Sequence, residues 1–140
     1  LIKLGANPNI ISFNLYQNNT IEDINILEKF LKSIKLELSG RLCIGFLNKK
    51  LNNNNLRLIE YTNIIKNVLI GATLFKVDKN FIKGSLRSNS SKIHVNEIAK
   101  KFEIGGGHNV AAGFMQKGTM NSVLKLLKNY SYNYIKEFYD

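Results

Sequence analysis

Gly105-Gly106-Gly107-His108-Asn109-Val110-Ala111-Ala112-Gly113 carries very little side-chain volume, and a folded chain rarely uses such a run without a reason. Consecutive glycines allow positive φ angles or a close approach of the backbone to a ligand. Successive N–H groups in such a run form concave nests suited to phosphate or carboxylate oxygens. His108 follows with a side chain that can donate a hydrogen bond or carry positive charge near neutral pH. For a bare glycine triplet the plainer reading, a flexible turn joining a helix to a strand, is the better one. The surroundings decide between the two.

Upstream, Val95, Ile98, Ala99 and Phe102 recur at i, i+3, i+4 and i+7, which predicts an amphipathic helix ending just before the triplet. A helix C-terminus disfavours anions, so the loop's N–H groups and His108 must overcome the dipole. Downstream, residues 111–115 predict a strand whose small side chains let neighbouring backbone come close, and residues 120–138 a long final helix. Its stripe of Val123, Leu127, Tyr130, Tyr134 and Phe138 reads as core packing. Before these, residues 81–88 predict a strand with Lys83, Ser85 and Arg87 on one face and Ile82, Gly84 and Leu86 on the other. Alternation alone favours solvent for that cationic row. A phosphate groove is the alternative, for which the planar fork of arginine is well suited.

Further upstream, residues 68–76 are nearly continuous in apolar residues, like a strand buried on both faces. Residues 56–66 predict a helix with Leu58, Ile59, Thr62 and Ile65 turned inward, after a loop through Asn52-Asn53-Asn54-Asn55. Residues 34–38 and 41–47 read as two strands joined through Ser39-Gly40. Thr20 caps a helix with Asp23 in its first turn, and Ile21, Ile24, Leu27, Phe30 and Leu31 give it a stripe read as core. Leu4-Gly5-Ala6-Asn7-Pro8 is a helix stop and turn, followed by a short helix over 10–17. This order of elements predicts a mixed α/β domain: a sheet of about five strands with flanking helices, preceded by connector helices.

The chain's 140 residues suit one compact domain, and 44% hydrophobic content supports a core. No apolar run is long enough to span a bilayer, and Leu1-Ile2-Lys3-Leu4-Gly5 lacks the pattern of a signal peptide. The chain does not begin with Met, and its first residues read like the end of a helix already under way, as in a piece of a longer protein. Cys43 is the only cysteine, which rules out an internal disulfide and a cysteine cage and fits a reducing, cytoplasmic compartment. A formal charge of +10 favours polyanionic partners such as nucleic acid, and the lack of a spanning run predicts no membrane partner. A lysine- and asparagine-rich composition imposed by a biased genome explains the charge equally well.

Ser85-Leu86-Arg87-Ser88, then Val95 to Phe102, then Gly105-Gly106-Gly107-His108 with Ala111-Ala112-Gly113 together resemble the DHH-associated domain of DHH-family phosphoesterases. The likeness is strongest to the oligoribonuclease and phosphoadenosine-phosphate phosphatase branch, with its S-L-R-S, helix and G-G-G-H-x-x-A-A-G. The resemblance implies a two-domain enzyme with its active site in the cleft between the domains. Residues 1–33 would be a helical connector from a missing N-terminal DHH catalytic domain, and 34–140 the substrate-binding domain. Manganese would sit in that missing domain, held by Asp and His ligands, with no cofactor bound by this chain. The substrates implied are short RNA or a nucleotide such as 3′-phosphoadenosine 5′-phosphate, and the full-length form allows a homodimer. By residue-wise matching, Ser85 and Arg87 would contact substrate phosphate or sugar, and Gly105, Gly106, Gly107 and His108 would close on the substrate. Arg87 and His108 are then expected to border one cleft.

The sequence also departs from the pattern. It has no D-H-H triplet; Asp23, Asp78 and Asp140 are its only aspartates, and His94 and His108 its only histidines. A two-metal centre needs several ligands to hold ions ~3.5–4 Å apart, which this set does not supply. Asn109-Val110 replaces a common Lys-Asn, Glu103-Ile104 stands where a further glycine is common, and His94 takes the place of an acidic cap. Two other readings stay open: a non-catalytic basic nucleic-acid-binding module, and a decayed frame that has lost its catalytic half. The related domain of alanyl-tRNA synthetases binds tRNA but favours arginine after its glycines, so His108 points to the phosphoesterase branch.

Overall fold

A computed structural model describes residues 19–51 and 57–139. The elements expected over 1–17 and the asparagine run at 52–55 lie outside the described residues. In chain order the elements are α1 (Ile21–Ser33), β1 (Lys35–Glu37), β2 (Leu42–Leu47), α2 (Ile59–Asn63) and β3 (Ile70–Lys76). There follow β4 (Phe81–Ser88), α3 (Val95–Ala99), β5 (Ile104–Gly107), β6 (Ala111–Lys117) and α4 (Met120–Tyr139). They form a mixed α/β fold whose single sheet has six strands in the order β1-β2-β3-β4-β6-β5. β2 and β3 pair in parallel, with Leu42 opposite Ile70, and the other neighbours are antiparallel. A parallel pair needs a crossover, and the segment containing α2 supplies it.

The sheet has one strand more than the sequence suggests. The extra one is the glycine triplet itself: Ile104–Gly107 pairs with β6, setting Gly106 opposite Gly113. Glycine is disfavoured in strands because it offers nothing to pack, so period-two reading overlooks such a strand. The α2 helix is also shorter than the predicted 56–66. The β-branched Ile59, Thr62, Ile64 and Ile65 of that stretch lose χ1 freedom in a helix. The helix ends at Asn63, and the turn that follows reaches a positive φ of 71° at Asn67.

Strand alternation gives the sheet two different faces. On one, Leu42, Ile44, Ile70, Leu74, Ile82 and Leu86 are buried with Ile98 of α3 and with Val123 and Leu127 of α4. On the other, a smaller cluster of Phe30, Leu47 and Leu58 packs under α1 and α2. The ring of Phe30 lies over Gly45, where a Cβ would meet it. Along β4, Lys83 and Arg87 are exposed on this second face while Ile82, Gly84 and Leu86 are buried on the first. The strip made by β4, β6 and β5 is thus open on the second face, with Ile104 63% exposed.

The α1 stripe needs a correction. Thr20 and Asp23 make the expected capping box, Thr20 N–H to Asp23 Oδ2 at 3.0 Å and Asp23 N–H to Thr20 Oγ1 at 3.2 Å. However, Ile21 is 67% exposed, and Ile24 and Leu31 are exposed as well. The stripe holds at buried Phe30 and half-buried Leu27, and Ile26, outside it, joins them on the covered side. Apolar residues extend most of the way around this helix, so periodicity did not determine which row the sheet would take. In α4 the stripe holds for Val123 and Leu127, weakens at half-buried Tyr130 and Tyr134, and ends at exposed Phe138.

Candidate functional site

Register brings the sequence-predicted residues into rows across the open strip. Ser85 lies opposite Gly113, which lies opposite Gly106, so two glycines extend the floor from Ser85 toward the sheet edge. In the next row Arg87 lies opposite Ala111. Ala111 in turn exchanges backbone hydrogen bonds with His108: His108 N–H to Ala111 O at 2.8 Å and Ala111 N–H to His108 O at 3.3 Å. At one strand spacing per step, the Arg87 and His108 backbones lie about 10 Å apart. A concavity of about 320 Å³ is lined by Ile59, Ser85, Arg87, Gly106, Gly107 and Gly113, among others. His108 is exposed in the adjoining turn and does not line it.

The α2 helix forms one wall because Gly71 lets it sit close to the sheet. A Cβ on Gly71 would run into the side chains of Thr62 and Asn63. Buried Thr62 donates its hydroxyl to the carbonyl of Ile59 at 2.7 Å. The Asn89 amide, just past β4, donates to the carbonyls of Asn63 and Val68, both at 3.0 Å. These bonds fasten α2 beside the end of β4 and turn Ile59 toward Arg87. Sequence reading took Ile59 for core and gave Gly113 no role of its own. The available signal was the A-A-G ending of the motif, in which a second glycine could face the first.

The three glycines differ in what they do. A Cβ on Gly105 would collide with the carbonyl of Ala99, so Gly105 faces α3 on the covered side. Gly107 has φ +141°, and a Cβ there would lie 2.7 Å from Ala112 Cα, which favours glycine on both counts. Around Gly106 a Cβ would meet nothing within 4 Å. Packing explains Gly105 and Gly107, whereas the missing side chain of Gly106 only keeps the concavity open. Beneath this strand Phe114 stacks on Phe102 with ring centroids 3.7 Å apart, and Tyr130 meets Phe102 edge-on at 5.0 Å.

The turn after the triplet is held by backbone. Asn109 O accepts from Val95 N–H at 2.9 Å, and Val110 O accepts from Ser88 N–H at 2.9 Å. His94, the N-cap of α3, is half-buried; its N–H donates to the Tyr134 hydroxyl at 3.0 Å. No carboxylate lines the concavity. The ion pairs found among the described residues use Lys32, Arg57, Lys100 and Lys128, leaving Arg87 without a carboxylate partner there. Among the described residues no group of three or more His, Cys, Asp or Glu could hold a metal ion, so these residues do not fit a manganese centre. No helix among them is long and apolar enough to cross a membrane.

The model of the DHHA1 domain matches residues 40–133, most of the chain. The chain belongs to the DHHA1 family. No curated protein sequence matches it. Among solved structures, an exopolyphosphatase-related protein from Bacteroides fragilis aligns over 99% of this DHHA1 chain with a TM-score of 0.83 at 22% identity. A pGpG-specific phosphodiesterase from Vibrio cholerae aligns over 93% with a TM-score of 0.56 at 15% identity. At these identities the likeness is one of fold. The DHHA1 chain spans 42% and 45% of the lengths of those two proteins.

Proposed function

We propose that this DHHA1 chain holds the nucleotide end of a short phosphate-bearing substrate for a phosphoesterase of the DHH family. One observation carries the reading: Arg87 and the side-chain-free Gly106–Gly113 floor share one concavity that no carboxylate lines. Arginine can grip two phosphate oxygens at once, the Ser85 hydroxyl can donate beside it, and the glycine floor admits a sugar or phosphate against bare backbone. His108 stands at the rim, in register to reach a bound group from the turn. Short oligoribonucleotides and 3′-phosphoadenosine 5′-phosphate are the proposed substrates, with manganese and the hydrolytic step assigned to a DHH part outside these residues. The relative named for pGpG, itself a dinucleotide, supports a ligand of this size.

The test is titration of a labelled 5′-phosphorylated dinucleotide at two salt concentrations. Arg87→Lys keeps the charge but loses the two-point grip, and His108→Ala removes the rim donor. Each is expected to weaken binding by about 1–3 kcal/mol, with circular dichroism unchanged. Lys136→Ala, on α4, is expected to produce only a small, salt-dependent change. Equal effects of Arg87→Lys and Lys136→Ala would replace the pocket with a merely basic nucleic-acid-binding surface, the reading that the +10 charge favours.

A further inference from the structure

A second hollow, of about 450 Å³, adjoins the first and shares Ser85 with it. Its walls include Lys50, Leu51, Phe75, Lys76 and Lys83. Lys50 lies beyond the end of β2 and Lys83 lies on β4 opposite Phe75, so two separate segments bring lysines to one hollow. Lys76, paired with Ile82, belongs by register to the other face of the sheet. No carboxylate lines it, and none of these lysines joins an ion pair among the described residues. Lys32, Lys100 and Lys128 do pair with glutamates elsewhere on the surface. Like charges gathered in a concavity focus a field that attracts anions.

Lys83 and Arg87 project from the same face of β4, four residues and therefore about 13 Å apart. One phosphate group cannot bridge that distance, whereas successive phosphates of a short chain can. Half-buried Leu51 and Phe75 give the lysine hollow an apolar side suited to a base or sugar. We propose that the lysine hollow is a second phosphate subsite, so that the trough along β4 takes a single-stranded oligonucleotide longer than a dinucleotide. Arg87 holds one phosphate, and Lys83 with Lys50 holds a further one along the chain. This rests on the nucleotide reading of the Arg87 concavity.

The experiment compares a labelled 5′-phosphorylated RNA dinucleotide with a pentanucleotide on the 140-residue chain. The pentanucleotide is expected to bind roughly tenfold tighter. The double variant Lys50→Ser/Lys83→Ser is expected to remove most of that advantage. It should also lower the salt slope for the pentanucleotide by about 0.7 for each phosphate that is no longer neutralised. Lys101→Ser/Lys125→Ser, which removes the same charge elsewhere, is expected to keep the advantage. So is Lys83→Arg, which guards against misfolding. Inorganic polyphosphate with the same number of phosphates is expected to compete less well than the pentanucleotide.

A pentanucleotide that binds no tighter than the dinucleotide would overturn the subsite. So would a pentanucleotide advantage that survives Lys50→Ser/Lys83→Ser, or that falls as far in Lys101→Ser/Lys125→Ser. Polyphosphate that competes equally well would overturn the oligonucleotide assignment. If Arg87→Lys leaves dinucleotide binding intact, the proposed function itself fails and the subsite with it. If Arg87→Lys weakens the dinucleotide while length confers nothing, this inference alone fails.

Discussion

Replacing Gly106 separates packing from ligand contact. Its position has no positive φ, and an added Cβ would meet nothing within 4 Å. Gly106→Ala therefore brings no clash, and the loss of freedom in the unfolded chain contributes about 0.4–1 kcal/mol of stability. Gly105→Ala is the opposite case: its methyl would overlap the Ala99 carbonyl, a backbone group that accepts from Phe102 N–H at 3.1 Å and cannot rotate away. Overpacking of that kind costs about 1–3 kcal/mol. Gly107→Ala adds strain of about 1–3 kcal/mol at its φ of +141°. Stability should thus run Gly106→Ala at or above the native chain, with both other variants below it. Dinucleotide affinity should follow a different order, because the Gly106 methyl projects into the concavity beside Gly113 and displaces the ligand. A loss of about tenfold or more is expected from Gly106→Ala, and a larger one from Gly106→Val. Urea unfolding and dinucleotide titration on the same preparations provide the two scales. A Gly106→Ala protein as unstable as Gly105→Ala would show that the position is packed. One that is stable and binds with native affinity would show that the glycine floor touches no ligand.

Two further outcomes are expected away from the concavity. Phe114→Ala removes the ring that stacks on Phe102 and covers Gly84; it should cost about 3–5 kcal/mol, read by thermal unfolding, and a loss below about 1 kcal/mol would mean the stack is not a structural support. Burial pushes the Cys43 thiol up, so alkylation should be slow in the native protein and fast in urea. The neutral thiol's contribution to stability is full below its unfolded value and is lost as pH rises through the higher folded one, so rapid native labelling at mildly alkaline pH would contradict the burial.

The parts of the fold legible in the sequence are those in which side chains report their own environment. The alternation along 81–88 placed Lys83, Ser85 and Arg87 on one face, and Thr20 with Asp23 announced the start of α1. The misread parts depend on what lies opposite. Nothing in Gly105-Gly106-Gly107 says that it will pair with Ala112-Gly113-Phe114, because a strand without side chains has no period to detect. The α1 stripe held at Leu27 and Phe30 and failed at Ile21, Ile24 and Leu31 for the converse reason: apolar residues on several sides left the choice to Phe30 and the space above Gly45. The site was legible as a motif, but which glycine packs and which one opens the concavity depended on neighbours that only the sheet order brings together.

The turn at 108–110 has a further consequence. Its shape is fixed by main-chain carbonyls given to Val95 and Ser88, and those bonds are indifferent to which side chains sit at 109 and 110. Exposed Asn109 and Val110 can thus be exchanged without reshaping the hairpin. Natural variation can act there as on an interchangeable tip fitted to a constant handle. Related proteins could then diverge in what they prefer to hold while the hairpin beneath stays the same.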